Sequence, residues 1–463
     1  MAGPPRLGTA LPPVRYPEKE AMVPSANVFV VGLDEGNLRT LESLPQASEM
    51  HFHQLLHRDD LLNLEDLDLP ARIAEAERIL DDFDGSVDAV VGYWDFPVSS
   101  IVPILCQRFD LVGPGLDGVV RAEHKYWSRL EQAEVIDDYP AFALVPLDDE
   151  SPELPEGVPF PMWLKPVKGV SSQLAFRVDD EEGFRRAVRE IREGIDAFSD
   201  PFDVILDRVE LPPEIEAVRG RAALAEETAT GRQFTVEGYC LDDVPHVYGV
   251  VETVLYPGRS SFHHYEYPAQ LPQEAHDRMV RASERVMRRL RLGSGTFNIE
   301  YFWDEESDRV QLLEVNARHS QAHAEIFRAV DGVPNHHVMV EIGLGRDPQM
   351  PHRQGEYAVA GKFFLRAFVD DAVVTGAPSA DDVARVQREI AGVVSIASEV
   401  TPGMRLSELD HQDPYSYVLA DIVIGADDAD QLRARYEACI DALGYVAEAS
   451  PLGETDRTEG DRA

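Results

Sequence analysis

Two stretches, FNIEYF and LLEVNAR, carry polar groups at every second position of apolar runs. A strand sends residues i, i+2 and i+4 to one face. Asn298 and Glu300 therefore share a face of the first run, and Glu314, Asn316 and Arg318 share a face of the second. The acidic turn DEESDR joins the two runs, so they should pair antiparallel and bring Glu300 close to Glu314. Two carboxylates at that distance repel unless a cation lies between them. With the Asn316 carboxamide the donors are all oxygen, which suits Mg²⁺ or Mn²⁺ rather than zinc. A magnesium ion held by few protein groups takes its remaining ligands from water and phosphates. Arg318, on the same face, would meet a phosphate or a carboxylate. A solvent-exposed hairpin with paired charges is the alternative.

Three further stretches could act with this hairpin. In PFPMWLKPVKGVSSQLAF, Lys165 ends an apolar run and Lys168, Gly169, Ser171 and Ser172 form a Gly/Ser turn. Free backbone N–H groups in such a turn can cover phosphates, and the lysines supply point charges. In LAEETATGRQFTVEGY a strand ends in Glu226–Glu227, a connector follows with Gly231, and another strand begins at Gln233. That link could present groups to an adenine edge. Lys125 lies on a helical stretch, RAEHKYWSRL. Each has a plain structural alternative: a hairpin turn, an inter-strand loop and a surface lysine.

The elements that position these residues follow from the patterning. The 463-residue chain is long enough for two or three domains. Residues 1–25 read as an extended arm. Over 26–117, NVFVVG and VDAVVGYW alternate with helical stretches, the pattern of a small parallel α/β domain without a GxGxxG loop. Over 118–345 come a helix through Lys125, strands near 142–145, 162–165 and 223–227, and two long hairpins. QEAHDRMVRASERVMRRLRLG lies between the hairpins as an amphipathic helix stopped by Gly293. Residues 346–450 alternate strand and helix as an α+β module, and 451–463 read as a disordered tail.

Taken in order, the motifs resemble the ATP-grasp superfamily, most closely its carboxylate–amine ligases such as the L-amino acid ligases, and more distantly biotin carboxylase. The resemblance covers roughly 113–345. It implies an ATP-grasp fold of two lobes with antiparallel sheets, the nucleotide lobe over about 160–230. It also implies Lys125 and Lys165 at the nucleotide phosphates, Glu226 at the adenine, Glu300, Glu314 and Asn316 as metal ligands, and Arg318 at the transferring phosphoryl group. The implied activity is an ATP- and Mg²⁺-dependent ligase joining a small-molecule carboxylate to an amine through an acyl phosphate. Kinase or carboxylase-like use of the site, or a non-catalytic ATP-binding protein, are the rivals. The family's ribose-binding Glu is Gln233 here, its phosphate loop is the glycine-poor KGVSS, and its NPRPGG run reads NARHSQAHAE. These changes put the substrate side on this chain's own residues, with His319 and the SSFHHYEYPAQ loop (His263, His264, Glu266) as candidates. Family ligases are often dimers, so a homodimer is expected by analogy.

Composition narrows the partners. The 84 acidic against 43 basic residues give a net charge of −41, a field that repels nucleic acid and anionic membranes. No apolar run approaches a membrane span, and the first residues lack a secretory h-region. Three scattered cysteines read as reduced, which points to the cytoplasm. Only five basic residues are lysine, and three of them are Lys125, Lys165 and Lys168.

Overall fold

The computed structural model describes residues 25–64, 67–148, 152–169, 173–369, 371–409 and 416–449. The expected arm, apart from Ser25, and the expected tail lie outside the described residues.

The first unit is a parallel sheet of β1 (Ala26–Val31), β2 (Met50–Leu55) and β3 (Ala89–Val91) in the order β2-β1-β3. Its central run NVFVV is apolar on both sides because helices cover both faces. Phe29 and Val31 pack under the helices Leu69–Asp81 and Val98–Arg108, whereas Val28 and Val30 meet Leu41, Met339 and Val340. The last two belong to the helix His336–Gly343, so a distant segment closes this sheet. The carboxy end of β3 runs into the turn Tyr93–Pro97, which faces the rest of the protein. Ligand-contacting residues of parallel sheets commonly arise at such an end.

The helix through Lys125 is two helices, Leu116–Glu123 and Lys125–Ala133. His124 between them has an extended backbone, and its Nδ1 accepts the N–H of Trp127 as an N-cap. Its other ring nitrogen is bonded to the Arg219 carbonyl at 2.7 Å. The break puts Lys125 at a helix start rather than in the middle of one.

The smaller antiparallel sheet contains β4 (Phe142–Pro146), β5 (Met162–Pro166), β6 (Phe176–Val178) and β7 (Ala222–Glu227), ordered β4-β7-β5-β6. The helix Glu181–Gly194, capped by Asp180, lays Phe184, Ala187, Val188 and Ile191 on this sheet at helical spacing. The larger sheet has eight strands: β8 (Arg232–Leu241), β9 (Val244–Leu255), β10 (Phe262–Tyr267), β11 (Gly295–Asp304), β12 (Arg309–Asn316), β13 (Val359–Ala367), β15 (Val393–Ser398) and β16 (Tyr417–Ala426). Its order is β12-β11-β8-β9-β10-β13-β16-β15. Strands on both sides of residue 345 therefore lie in one sheet. The remaining pair, β14 (Ala372–Gly376) with β17 (Val446–Ala449), stands apart. The β8–β9 turn uses Asp242 and Asp243, both at positive φ, as a two-residue hairpin requires.

The helix Gln273–Leu290 covers the face of β11 that carries Phe297, Ile299 and Tyr301. It ends on Arg291 in the left-handed region, two residues before the expected Gly293. Burying the odd-numbered residues of β11 leaves Asn298 and Glu300 on the opposite face.

The link between the two sheets passes close to the end of β11. Gly231 has φ +105°, and a Cβ there would lie 2.2 Å from the Trp303 carbonyl oxygen. Replacing Gly231 with Ala meets both a forbidden conformation and a backbone clash. It should destabilise the protein by at least about 2 kcal/mol. Chemical denaturation would measure this, and an unchanged midpoint would contradict it.

Candidate functional site

The β11–β12 register places Asn298 opposite Asn316 and Glu300 opposite Glu314. After Glu300 the register shifts, so Tyr301 pairs with Leu312 and Leu313 is left over. An extra residue in one strand re-aims its neighbours. Here the freed Leu313 carbonyl accepts an N–H of Arg129 at 2.6 Å. Asn316 donates its amide to Asn298 Oδ1 at 3.0 Å, and Asn298 donates to the Arg318 carbonyl at 2.9 Å. That ladder fixes the backbone on which Arg318 sits.

The two glutamates differ in their partners. Glu314 receives Lys125 Nζ at 2.8 Å. Burial would raise its carboxyl, but Lys125 and Lys165 hold it below the usual range. Glu300 is bonded only to Gln233 Nε2, at 3.0 Å, among the described residues. Burial and the Glu314 charge push its carboxyl up to about 7. The pair thus has one carboxylate compensated by lysine and one that lacks a cation.

A second charge cluster lies beside the first. Glu226 takes Arg129 Nε and Lys165 Nζ, both at 2.6 Å. Burial opposes its ionisation, yet the two cations bring its carboxyl down to about 2. Lys125, Ser128, Arg129, Lys165, Glu226 and Glu314 line one pocket between the two sheets. Lys125 also donates to the Gly169 carbonyl at 3.0 Å, which ties the start of KGVSS to this pocket.

The remaining sequence candidates fall elsewhere. Ser171 and Ser172 lie outside the described residues. Lys168 is 3% exposed and turns to Glu123 at 2.8 Å, with the Phe96 and Phe202 rings beside it. Glu227 forms a two-pronged pair with Arg309 at 2.7 and 2.9 Å. His264 and Glu266 face away from Glu300: His264 stacks on Phe363 at 4.6 Å and lies 3.6 Å from Glu266. His263 meets His264 and the Tyr256 ring. Tyr265, between them, is the β10 side chain whose hydroxyl feels Glu300. His319 is fully buried, with its backbone N–H and its ring both on Thr296 Oγ1, at 3.0 and 3.3 Å. Glu237 accepts from His323, the Ser320 N–H and the Tyr248 hydroxyl. His319 and His323, in the run that departs from NPRPGG, therefore pin the segment after Arg318 into the interior.

Two residues of the site were not singled out from the sequence. Arg129 is four residues after Lys125, one turn along the same helix face, and that spacing was the available signal. Asp95 receives Arg318 Nη2 at 2.8 Å. Burial would raise its carboxyl, but Arg318, Lys168 and Lys125 hold it well below the ordinary range. Its signal was its place, just after an apolar strand in VVGYWD.

The donor set suits a hard divalent cation. Glu300, Glu314 and the Asn316 carbonyl offer only oxygen, and the uncompensated Glu300 charge is what such an ion would neutralise. No group of three or more His, Cys, Asp or Glu side chains set to hold a metal occurs among the described residues; this set has two carboxylates and an amide.

Residues 158–325 match the ATP-grasp domain model. The chain carries an ATP-grasp domain. Its fold is shared with an L-amino acid ligase from Bacillus licheniformis (TM-score 0.68, 16% identity, 92% of this chain and 99% of that one). It is also shared with a carboxyaminoimidazole ribonucleotide synthase from Aspergillus clavatus solved with ATP (0.61, 15%, 91% and 99%). Biotin carboxylase from Campylobacter jejuni is similar as well (0.61, 14%, 93% and 93%). No curated protein matches the chain in sequence. Among the described residues, no helix is long and apolar enough to cross a membrane.

Proposed function

We propose that the protein is an ATP-dependent carboxylate–amine ligase that forms an amide bond through an acyl phosphate. The observation that carries this reading is the registered Glu300–Glu314 pair, with Lys125 on Glu314 and Arg318 two residues past Asn316, inside an ATP-grasp domain. The full-length likeness to an L-amino acid ligase supports it.

In this reading the nucleotide lies in the pocket between the two sheets, its phosphates beside Lys125 and Lys165. A magnesium ion held by Glu300, Glu314 and Asn316 would neutralise phosphate charge. A substrate carboxylate oxygen attacks the γ-phosphorus, ADP departs, and an acyl phosphate forms. Arg318 donates hydrogen bonds to the transferring group, where fixed donors are worth a few kcal/mol. The amine nitrogen then attacks the acyl carbon, loses a proton, and inorganic phosphate leaves with its oxygen. Gln233 sits on Glu300 at 3.0 Å. A Glu at that position would add a third negative charge to the pair. The substrates are small molecules, and an ATP-consuming reaction with three buried unpaired cysteines belongs in the cytoplasm.

A phosphate-release screen over pairs of amino acids, with mass spectrometry of the products, tests the reading. Several salt concentrations are needed, given the net charge of −41. Release that requires both a carboxylate and an amine, with an amide product, is expected. A stable phosphorylated product would instead make the protein a kinase.

A further inference from the structure

Arg318 is held from another part of the chain. The first unit supplies Asp95, whose Oδ2 lies 2.8 Å from Arg318 Nη2. Among the described residues it is the one carboxylate in ion-pair contact with this guanidinium. Among the described residues, the other bond of Arg318 is weak, Nη1 to its neighbour's carbonyl at 3.4 Å, and Nε has no partner. Without Asp95 the side chain would have no firm bond to fix its plane.

Asp95 is itself rigidly placed. Its carbonyl accepts the Val98 N–H at 2.9 Å, and its Oδ1 accepts the Phe96 N–H at 3.3 Å. The turn opens the helix Val98–Arg108, in which Val98 and Ile101 are fully buried. The same turn reaches a second element of the site. Ser99 donates to Glu123, Glu123 pairs with Lys168 at 2.8 Å, and the Lys168 ammonium sits 4.6 Å from the Phe96 ring centre. Lys168 is followed by Gly169, whose carbonyl is bonded to Lys125. One turn of the first unit thus contacts both Arg318, through Asp95, and Lys168, through the Phe96 ring.

We propose that Asp95 is a positioning residue: the first unit completes the phosphoryl-transfer site by fixing the guanidinium of Arg318 where the transferring group forms. This rests on the ligase reading above. A carboxylate on one edge leaves the other N–H groups of the fork for an anion, which is how a planar guanidinium can be oriented and still bind. A 1 Å misplacement of such a group can cost about 100-fold in rate. A plain inter-unit ion pair would affect stability and leave that geometry alone.

The test compares Asp95→Ala and Asp95→Asn with the wild-type full-length chain in two assays. The first is kcat and KM for ATP in the phosphate-release reaction. Roughly 10- to 100-fold lower kcat is expected for Asp95→Ala, with KM for ATP within about twofold. Asp95→Asn keeps an acceptor and should fall between. The second assay needs no acceptor substrate: affinity for Mg·ADP with and without aluminium fluoride, which mimics the transferring phosphoryl group. Mg·ADP alone should bind the variants and wild type equally, and the added tightness from the fluoride should be lost in Asp95→Ala. Equal fluoride complexes in wild type and Asp95→Ala would overturn the inference while leaving the nucleotide site intact. A wild-type protein that binds no Mg·ADP would overturn the ligase reading and this inference together.

Discussion

Glu314→Gln should lower ATP-dependent phosphate release by roughly 100- to 1,000-fold, the scale on which removal of one preorganised electrostatic group acts in an active site. The substitution keeps the size and shape of the side chain and removes one charge. That charge has two uses here. It balances Lys125 at 2.8 Å, and it makes the cross-strand pair with Glu300 doubly negative. With a neutral residue at 314, Lys125 faces the pocket unbalanced, and the Glu300 carboxyl loses the neighbour that helps push it up. Affinity for the divalent cation should therefore fall, so the residual activity should need more magnesium than wild type. Nucleotide binding through Lys125 and Lys165 should survive, because neither lysine is removed. Phosphate release at the wild-type rate and magnesium dependence would sink the assignment of this pair.

This site was readable from the sequence to the extent that it lies on strands. Period-two alternation put Glu314 and Asn316 on one face, and the DEESDR turn implied the antiparallel pairing that the register shows. Lys125 and Lys165 stood out because lysine is scarce in this chain. The partners of these residues were not readable, because they come from distant segments. Nothing local ties Asp95 to Arg318 across 223 positions, or Arg129 to Glu226 across 97. The direction of a side chain at a turn was equally hidden. Lys168 is three residues past Lys165, yet it turns inward to Glu123, because the chain leaves the strand at Pro166 and period two no longer applies.

The same limit explains the substrate candidates and the sheet. In FHHYEY a period of two separates His264 and Glu266 from Tyr265, but the sequence does not say which set faces the site. Packing decides it: Phe363 and Tyr436 bury the His264 face, and Tyr265 is left on the side of Glu300. His319 was legible as a departure from NPRPGG but not as a core residue. Its place depends on Thr296, which the hairpin brings opposite. The continuity of the large sheet past residue 345 depends on β13 pairing with β10 across nearly 100 positions, a contact of the kind no local pattern encodes.

The second large effect is expected on stability. Glu226→Ala leaves Arg129 and Lys165 facing each other without the carboxylate that both contact at 2.6 Å. Breaking a buried ion pair from one side typically costs about 3–5 kcal/mol, since the remaining charge stays desolvated. Arg129 is 2% exposed and has little water to turn to. Its Nη2 also holds the Leu313 carbonyl at 2.6 Å, so its displacement should reach the neighbouring Glu314 and reduce activity as well. The pH dependence provides an independent check. The folded carboxyl is depressed to about 2 from an ordinary value of 4.5. A depressed acid stabilises the fold above its unfolded value and loses that contribution as pH falls through its folded value. The stability gap between wild type and Glu226→Gln should therefore be full above about pH 4.5 and shrink towards pH 2. Other carboxylates titrate in both proteins and cancel in the difference. Chemical denaturation at pH 7, 4 and 3 would read this gap, and a gap that stays constant across those values would show that Glu226 is not held ionised by Arg129 and Lys165.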